Sequence, residues 1–450
     1  MNDLSRPLWQ RFLVFLLPLM LSNILQSLSG TINSVFIGQM IGTHALAAIS
    51  TFFPIMIFLI SFVIGLASGS AILIGQAWGA RNLQKIKQVT GTTLTVGFLM
   101  GCVVAVFGTT FARELMGVLG APPEVIDASA GYGRIVLAGM PGFFIFLLVT
   151  SMLRGVGDTV TPLFSLMLSI VVGLFVTPAL IQGWFGLPQL GVNAAAVAFI
   201  AGFLVVLVFL FFRLNAIKSP MAPDAELFRY LRVDFKLLGL ILKLGIPAGI
   251  GMVVSSVSAI VIVGIVNRFG VDATAAYGAV NQVLSYIQFP AMSISIAASI
   301  FAAQSIGARR FDEVERVTRT ALLMNMIITG TLVAIAYIGS EYLVRAFITD
   351  ESVVQVAERL LHIVLWSCIV FGWATTFSAV MRASGDVWIP MALSLAAIIC
   401  VEIPAALYLS TVFGLDGVWI GYCMSFSAQL VFQGAYYLGF WRKKEIRALV

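Results

Sequence analysis

The sequence is written twice, with the second copy 228 residues after the first. Gln76, Gly79-Ala80-Arg81, Thr90 and Thr92 recur as Gln304, Gly307-Ala308-Arg309, Thr318 and Thr320. Arg154, Gly157-Asp158 and Pro162 recur as Arg382, Gly385-Asp386 and Pro390, and Gly42, Ala45 and Ala47-Ala48 as Gly270, Ala273 and Ala275-Ala276. Matches at one unchanging offset, across three separate stretches, restrict the fold to two similar halves. In an apolar chain such a duplication points to two half-bundles of helices built around a site, as in secondary transporters.

The solvent follows from composition. Of 450 residues 60% are apolar and only 10% are charged, whereas soluble domains carry roughly 25% charged residues. There is too little polar surface here to meet water around so large an apolar core, and lipid is the solvent that fits. A net charge of +6 raises nucleic acid as a partner, but the basic residues stand at the ends of apolar runs rather than on a polar face, which disfavours that reading. Cys102, Cys368, Cys400 and Cys423 all fall inside apolar runs without the spacing of a zinc site or a disulfide framework. The first apolar run, from Phe12 past Leu28, has no small-residue cleavage site and reads as a retained span.

A bilayer core of about 30 Å needs roughly 20 apolar residues in helical form. Cutting at polar and Gly/Pro clusters gives twelve runs, near 12–40, 45–76, 92–111, 133–153, 161–182 and 190–212, then 239–266, 274–304, 320–339, 359–381, 388–411 and 417–440. The fold class expected is therefore all-α and integral to the membrane, with twelve transmembrane helices in two six-helix lobes, 1–213 and 239–450, joined by a polar cytoplasmic linker, 214–238. The runs 45–76 and 274–304 exceed the bilayer, so they must tilt, bend or extend into solvent, with kinks expected at Pro54 and Pro290. The cluster Gly65, Ser68, Gly69 and Ser70 would let neighbouring helices approach closely. With both termini cytoplasmic, all of the 26 Lys and Arg except Arg113, Arg134, Arg268, Arg345 and Arg359 fall on the cytoplasmic side, which supports an even span count. Six spans per half make the halves parallel, related by an axis along the membrane normal.

The order of these features resembles the multidrug and toxic compound extrusion (MATE) family. The motifs are an opening stretch Leu17-Pro18-Leu19-Met20-Leu21-Ser22-Asn23 and a signature Arg154-Gly155-Val156-Gly157-Asp158-Thr159-Val160-Thr161-Pro162, degraded in the second half to Arg382-Ala383-Ser384-Gly385-Asp386. The resemblance covers essentially the whole chain. It implies a secondary active antiporter of the bacterial cytoplasmic (inner) membrane that exports lipophilic, cationic organic compounds against protons or sodium ions by alternating access, through a cleft between the lobes. It implies a monomer with no cofactor beyond the transported ion. The family's usual acids do not carry over. The first-span pattern reads Ile32-Asn33-Ser34-Val35-Phe36-Ile37-Gly38, the acid before the fifth-span proline is Thr177 before Pro178, and the two positions of sodium-coupled relatives hold Ser255 and Phe371.

One deep acid remains, Glu402, about 18 Å along its helix from Pro390 and so near mid-bilayer. Its helical neighbours Ile398, Ile399, Ala405 and Ala406 offer no cation. An ionised residue there costs roughly 2.5–3.5 kcal/mol, and a carboxyl that gains or loses a proton with solvent access is what a proton-coupled exporter needs. A lone acid favours protons, since sodium wants several oxygens at once. The alternative is structural: Pro404 cannot donate to the carbonyl of Cys400 and breaks the helix, and a protonated Glu402 could satisfy the freed backbone. Val176, its counterpart when Pro178 and Pro404 are matched, is apolar.

Further candidates are weaker. Gln26, Asn33, Tyr277, Asn281, Gln282, Tyr286 and Gln288 are polar or aromatic residues of the spans that line the family's cleft, and could orient a substrate or merely bond between helices. Arg154, Asp158, Arg382 and Asp386 stand at cytoplasmic turns, as helix caps or as gate contacts. The seventeen methionines suit a plastic pocket. No nucleophile–base pair, phosphate-binding loop or metal cluster is legible, which disfavours an enzyme. A flippase for lipid-linked sugars is the main alternative, disfavoured by the absence of deep Lys or Arg; a receptor or channel is disfavoured by the duplication.

Overall fold

The computed structural model describes residues 7–120 and 122–450, with the backbone alone at 31, 33–35, 43, 44, 46 and 185. Every regular element among them is helical. Lipid offers no partner for a free N–H or C=O, so each apolar run closes its own backbone bonds within a helix. The first half contains α1 (Leu8–Met40), α2 (Thr43–Gly79), α3 (Leu83–Thr110), α4 (Ala112–Val118), α5 (Ile126–Ala138), α6 (Met140–Gly155), α7 (Val160–Gln182) and α8 (Asn193–Ala216). A short α9 (Ala225–Tyr230) lies in the connecting stretch. The second half contains α10 (Phe235–Val266), α11 (Val271–Gly307), α12 (Phe311–Ile338), α13 (Ser340–Arg345), α14 (Glu351–Val364), α15 (Ser367–Ala383), α16 (Trp388–Ala397), α17 (Ile403–Phe413) and α18 (Leu415–Gly439).

Nine of these are long and apolar enough to cross a bilayer alone, and two bent pairs, α5–α6 at 54° and α14–α15 at 43°, supply two more. The twelfth is α18, whose serines, glutamines and Asp416 dilute its hydropathy. Large apolar side chains such as Phe53, Phe107, Ile260 and Ile338 stay exposed on the helix surfaces, the arrangement a lipid solvent permits. The two overlong spans, α2 and α11, are 37-residue helices that run unbroken through Pro54 and Pro290. At 1.5 Å per residue each is about 55 Å long, so both extend well past the hydrocarbon. α3 and α12 begin earlier than their apolar runs, at Leu83 and Phe311, because their first turns are polar.

The duplication is preserved in the backbone. Arg81 and Arg309 are both left-handed (φ 55° and 57°), as are Gly157 and Gly385 (φ 92° and 93°) and Gly42 and Gly270 (φ 115° and 96°). At the first pair the following amide reaches back five residues, Asn82 to the Ala77 carbonyl and Arg310 to that of Ser305, each at 2.9 Å. These bonds satisfy carbonyls the helix end leaves open.

Contacts divide the chain into two compact units that do not follow a cut at its middle. One holds the chain up to Met20, Gly79–Arg81 and Pro247–Val450; the other holds Leu21–Trp78 and Asn82–Ile246. α1 and α10 are thus each shared between units. In the first unit Phe12 and Phe15 of α1 pack on Phe301 of α11, ring centroids 4.7 and 5.5 Å apart. In the second, α2 and the first part of α10 cross at glycines: a Cβ on Gly245 would sit 2.2 Å from the Gly65 carbonyl, and one on Gly69 2.4 Å from that of Ile241. The stretch 214–238 packs within the second unit rather than spanning free. Lys87 of α3 holds Asp224 at 2.5 Å and Glu226 at 2.6 Å, and the Thr92 hydroxyl donates to the Arg232 carbonyl at 3.4 Å.

Candidate functional site

Glu402 ends a π-helical turn, Ile398–Glu402, between α16 and α17. Pro404 does not break this span. Its missing N–H is absorbed by a one-residue register shift, in which the Ile403 amide reaches back five residues to the Ile398 carbonyl. Turns of this kind recur at functional sites, because they re-aim side chains and leave backbone oxygens unbonded. Here the shift turns Glu402 inward, where 6% of it is exposed.

Two hydroxyls converge on the carboxylate. Ser258 of α10 donates to Oε1 at 2.6 Å and Ser425 of α18 to Oε2 at 2.9 Å. Among the described residues no ion pair involves Glu402, so hydroxyl dipoles alone balance whatever charge it carries. The Ser258 bond is short for O–H···O geometry and the Ser425 bond falls within the ordinary range; bonds to an ionised acceptor contribute about 1.5–3 kcal/mol each. Ser425 reaches this point through a stripe of small residues. Gly417, Gly421 and Ser425 share one face of α18 at four-residue spacing, and a Cβ on Gly417 would lie 2.1 Å from the Leu409 carbonyl of α17.

An aromatic series flanks the acid. Tyr422 lies near enough to Glu402 to feel its charge and shares a hydrogen bond of 3.0 Å with Tyr277 of α11. Tyr277 and Tyr422 each pack against Trp419, centroids 5.2 and 5.4 Å away. Tyr422 continues to Phe426, and Phe426 to Phe371 of α15, at 6.2 and 5.0 Å. Trp419 is wholly buried, and its indole N–H has no hydrogen-bond partner among the described residues.

Of the residues singled out from the sequence, the structure joins Tyr277 to this cluster, as a buried packing and hydrogen-bonding residue. Asn281 and Gln282 are half-buried on α11 and without a side-chain partner among the described residues. Tyr286 packs against Phe289 at 6.1 Å, and Gln288 lies beside the Cys368 thiol. Gln26 is exposed on α1, and the side chain of Asn33 lies outside the described residues. Asp158 accepts from the amides of Val160 at 3.1 Å and Thr161 at 2.9 Å, capping α7. Asp386 instead accepts from Tyr436 at 2.9 Å and Lys444 at 3.3 Å, fastening the C-terminal segment. Arg154 and Arg382 end α6 and α15, the former with its Nε buried and unbonded.

Sequence reasoning missed Ser258, Ser425, Tyr422 and Trp419. A serine cluster at 255–258 of α10 was the one available signal, and its members diverge: Ser255 is exposed, Ser256 bonds back to the Met252 carbonyl at 2.9 Å, and Ser258 alone turns to the acid.

The MatE family model matches the chain twice, at residues 18–179 and 247–407. The probable multidrug resistance protein YoeA of Bacillus subtilis (strain 168) is 45% identical, covering 99% of this chain and 97% of that one. The multidrug export protein MepA of Staphylococcus aureus (strain MRSA252) is 22% identical, covering 92% and 89%. Among solved structures, the Vibrio cholerae MATE transporter VcmN in the bent form superposes with a TM-score of 0.87 at 20% identity, covering 96% of each chain. An outward-facing multidrug resistance MATE transporter gives 0.87 at 18%, covering 96% and 95%. With the repeat, the twelve spans and the signature turns already in place, these matches close the question of kind: the chain is a multi-pass membrane protein of the multidrug and toxic compound extrusion family.

Proposed function

We propose that this protein is a secondary antiporter of the bacterial cytoplasmic membrane, with both termini cytoplasmic. It exports lipophilic, cationic organic compounds in exchange for protons by alternating access, and Glu402 carries the coupling proton. The observation behind this reading is a buried carboxylate that, among the described residues, pairs with no cation and accepts from two hydroxyls. A group so placed has no fixed countercharge to keep it ionised, so its protonation can follow its access to water. The relatives named for multidrug resistance and export support small organic substrates. The protein works as a monomer, with no cofactor and no catalytic centre. The half-buried amides Asn281 and Gln282 of α11 supply substrate-facing groups.

Sodium is the second reading. Ser258 and Ser425 add two hydroxyl oxygens to those of the carboxylate, and sodium favours several oxygens at once. Efflux of an ethidium-type dye from everted vesicles, with either a proton or a sodium gradient imposed, decides between them. Proton-driven efflux is expected, and its loss in Glu402→Gln at normal expression. Efflux that follows sodium alone at constant pH would sink the proton reading. Undiminished export by the Gln variant would remove Glu402 from the mechanism.

A further inference from the structure

Ser258 stands on a helix with an unusual place in the molecule. α10 is divided between the two compact units at Ile246 and Pro247, and Pro247 is the one proline inside it. A proline there removes the bond to the carbonyl four residues back, at Lys243, so the two parts of α10 meet at a soft joint. Between that joint and its last turn the helix is mostly half-buried or exposed, while the last turn packs into the core. Val257 and Ile260 are 53% and 72% exposed, and burial is confined to Ser258, Ile262, Ile265 and Val266. The bond from Ser258 to Glu402 is therefore a polar tether on the stretch of α10 between Pro247 and its core-packed last turn, Ile262–Val266.

A serine inside a helix normally bonds to the carbonyl four residues back. Ser256 and Ser427 do so, to Met252 at 2.9 Å and Cys423 at 2.8 Å. Ser258 and Ser425 forgo that bond and point to Glu402 instead. An ionised carboxylate accepts from both. A protonated one offers a neutral acceptor on one oxygen and must itself donate from the other. Bonds to the ionised form are roughly twice as strong as neutral ones, so protonation weakens both, while each serine has a carbonyl on its own helix, at Val254 or Gly421, to fall back on.

We propose that Ser258 is a positioning residue that makes the hold on α10 depend on the charge of Glu402: the ionised carboxylate clamps α10 and α18 together, and the protonated one releases α10 between Pro247 and its last turn. This rests on Glu402 as the proton carrier and adds the step by which the proton moves a helix. The titratable group beside Glu402 is Tyr422 of α18, with Tyr277 of α11 bonded behind it, while Cys423 turns to the Ile363 carbonyl and Cys400 is exposed. Phenols and thiols ordinarily keep their protons between pH 5 and about pH 8, and among the described residues no ion pair involves the acid, so Glu402→Gln isolates the part the acid plays in any response over that range.

The test uses the purified full-length protein in nanodiscs. Backbone hydrogen–deuterium exchange of peptides covering residues 243–262 is compared at pH 6 and pH 8, corrected for intrinsic exchange. We expect exchange in the wild type to be at least about threefold faster at pH 6. Ser258→Ala and Glu402→Gln should lose that pH dependence, and Ser258→Thr should retain it. In vesicles, Ser258→Ala should also move the pH midpoint of efflux upward, since losing a donor to the carboxylate makes protonation easier. Monodisperse gel filtration of every variant guards against misfolding. A pH-dependent exchange that survives in Ser258→Ala, or its absence in the wild type, overturns the proposal. Proton-driven export by Glu402→Gln would instead defeat the coupling reading, which the exchange measurement does not address, so the two failures stay distinct.

Discussion

At the scale of single residues, the chemistry around Glu402 depends on atoms that carry no chemistry. Gly417 and Gly421 let α18 approach α17 until a Cβ on Gly417 would stand 2.1 Å from the Leu409 carbonyl and one on Gly421 2.9 Å from the Ala406 amide nitrogen. Because the first obstacle is backbone, Gly417→Ala cannot be absorbed by a rotamer change. We expect it to cost about 1–3 kcal/mol as overpacking, seen as a lower melting temperature in detergent, and to draw Ser425 away from the acid. Its efflux pH midpoint should then shift in the same direction as that of Ser425→Ala, whereas an unchanged midpoint would uncouple the seam from the site. Glu402 itself is legible in sequence because it is the lone acid in an apolar run. Its partners are not, since Ser258 and Ser425 lie 144 and 23 positions away along the chain, and only tertiary packing selects Ser258 over Ser255 and Ser256.

At the scale of elements, the two halves repeat a device with its charge inverted. Lys87 and Glu315 occupy the same position in the two copies, near the start of α3 and α12. Lys87 pairs with Asp224 and Glu226, which follow α8; Glu315 pairs with Arg442, which follows α18, and with Arg319. Each third span thus grips the segment that leaves its own sixth span, and the opposite signs keep the two segments from exchanging docks. The Lys87 ammonium holds the Asp224 carboxyl below its ordinary range. A carboxylate depressed in the folded state contributes stability that is present above its unfolded pKa and is lost as pH falls through the folded value, so this clasp loosens only in acid. Each pair is partly exposed and contributes no more than about 1 kcal/mol. Lys87→Glu should nonetheless release the 214–238 stretch, with trypsin cleaving at Lys218, Arg229 or Arg232 several times faster than in the wild type. Restored protection in the triple variant Lys87→Glu, Asp224→Lys, Glu226→Lys would tie the effect to charge, and unaltered cleavage of Lys87→Glu would show the stretch to be held by packing alone. A polar run reads from sequence as a linker; that it is docked depends on Lys87, more than a hundred positions earlier, and on Gly91, whose Cβ would lie 2.2 Å from the Tyr230 carbonyl.

At the scale of the whole molecule, span number and halves are legible because they rest on long apolar runs and a fixed repeat, features that tertiary contacts cannot override. The compact units are less so, since α1 and α10 divide at Met20 and Pro247 rather than between lobes, and no local signal marks where a continuous helix changes its company. Orientation is a separate inference from the distribution of Lys and Arg, and it admits a direct test. With the termini cytoplasmic, Lys218, after α8, lies inside and Arg345, in α13, lies outside. Both are exposed, so a cysteine at either would meet aqueous reagent on its own side. Cys368 and Cys423 are buried and Cys102 half-buried, while Cys400, though exposed, falls within an apolar span where a charged reagent does not dissolve, which keeps the background low. In intact cells a membrane-impermeant maleimide should therefore label Arg345→Cys and spare Lys218→Cys, with the pattern equalised once the cells are opened. The reverse labelling would place the termini outside. It would then set the Lys87 and Glu315 clasps on the outer face and turn the coupling gradient imposed in the vesicle assay the wrong way round.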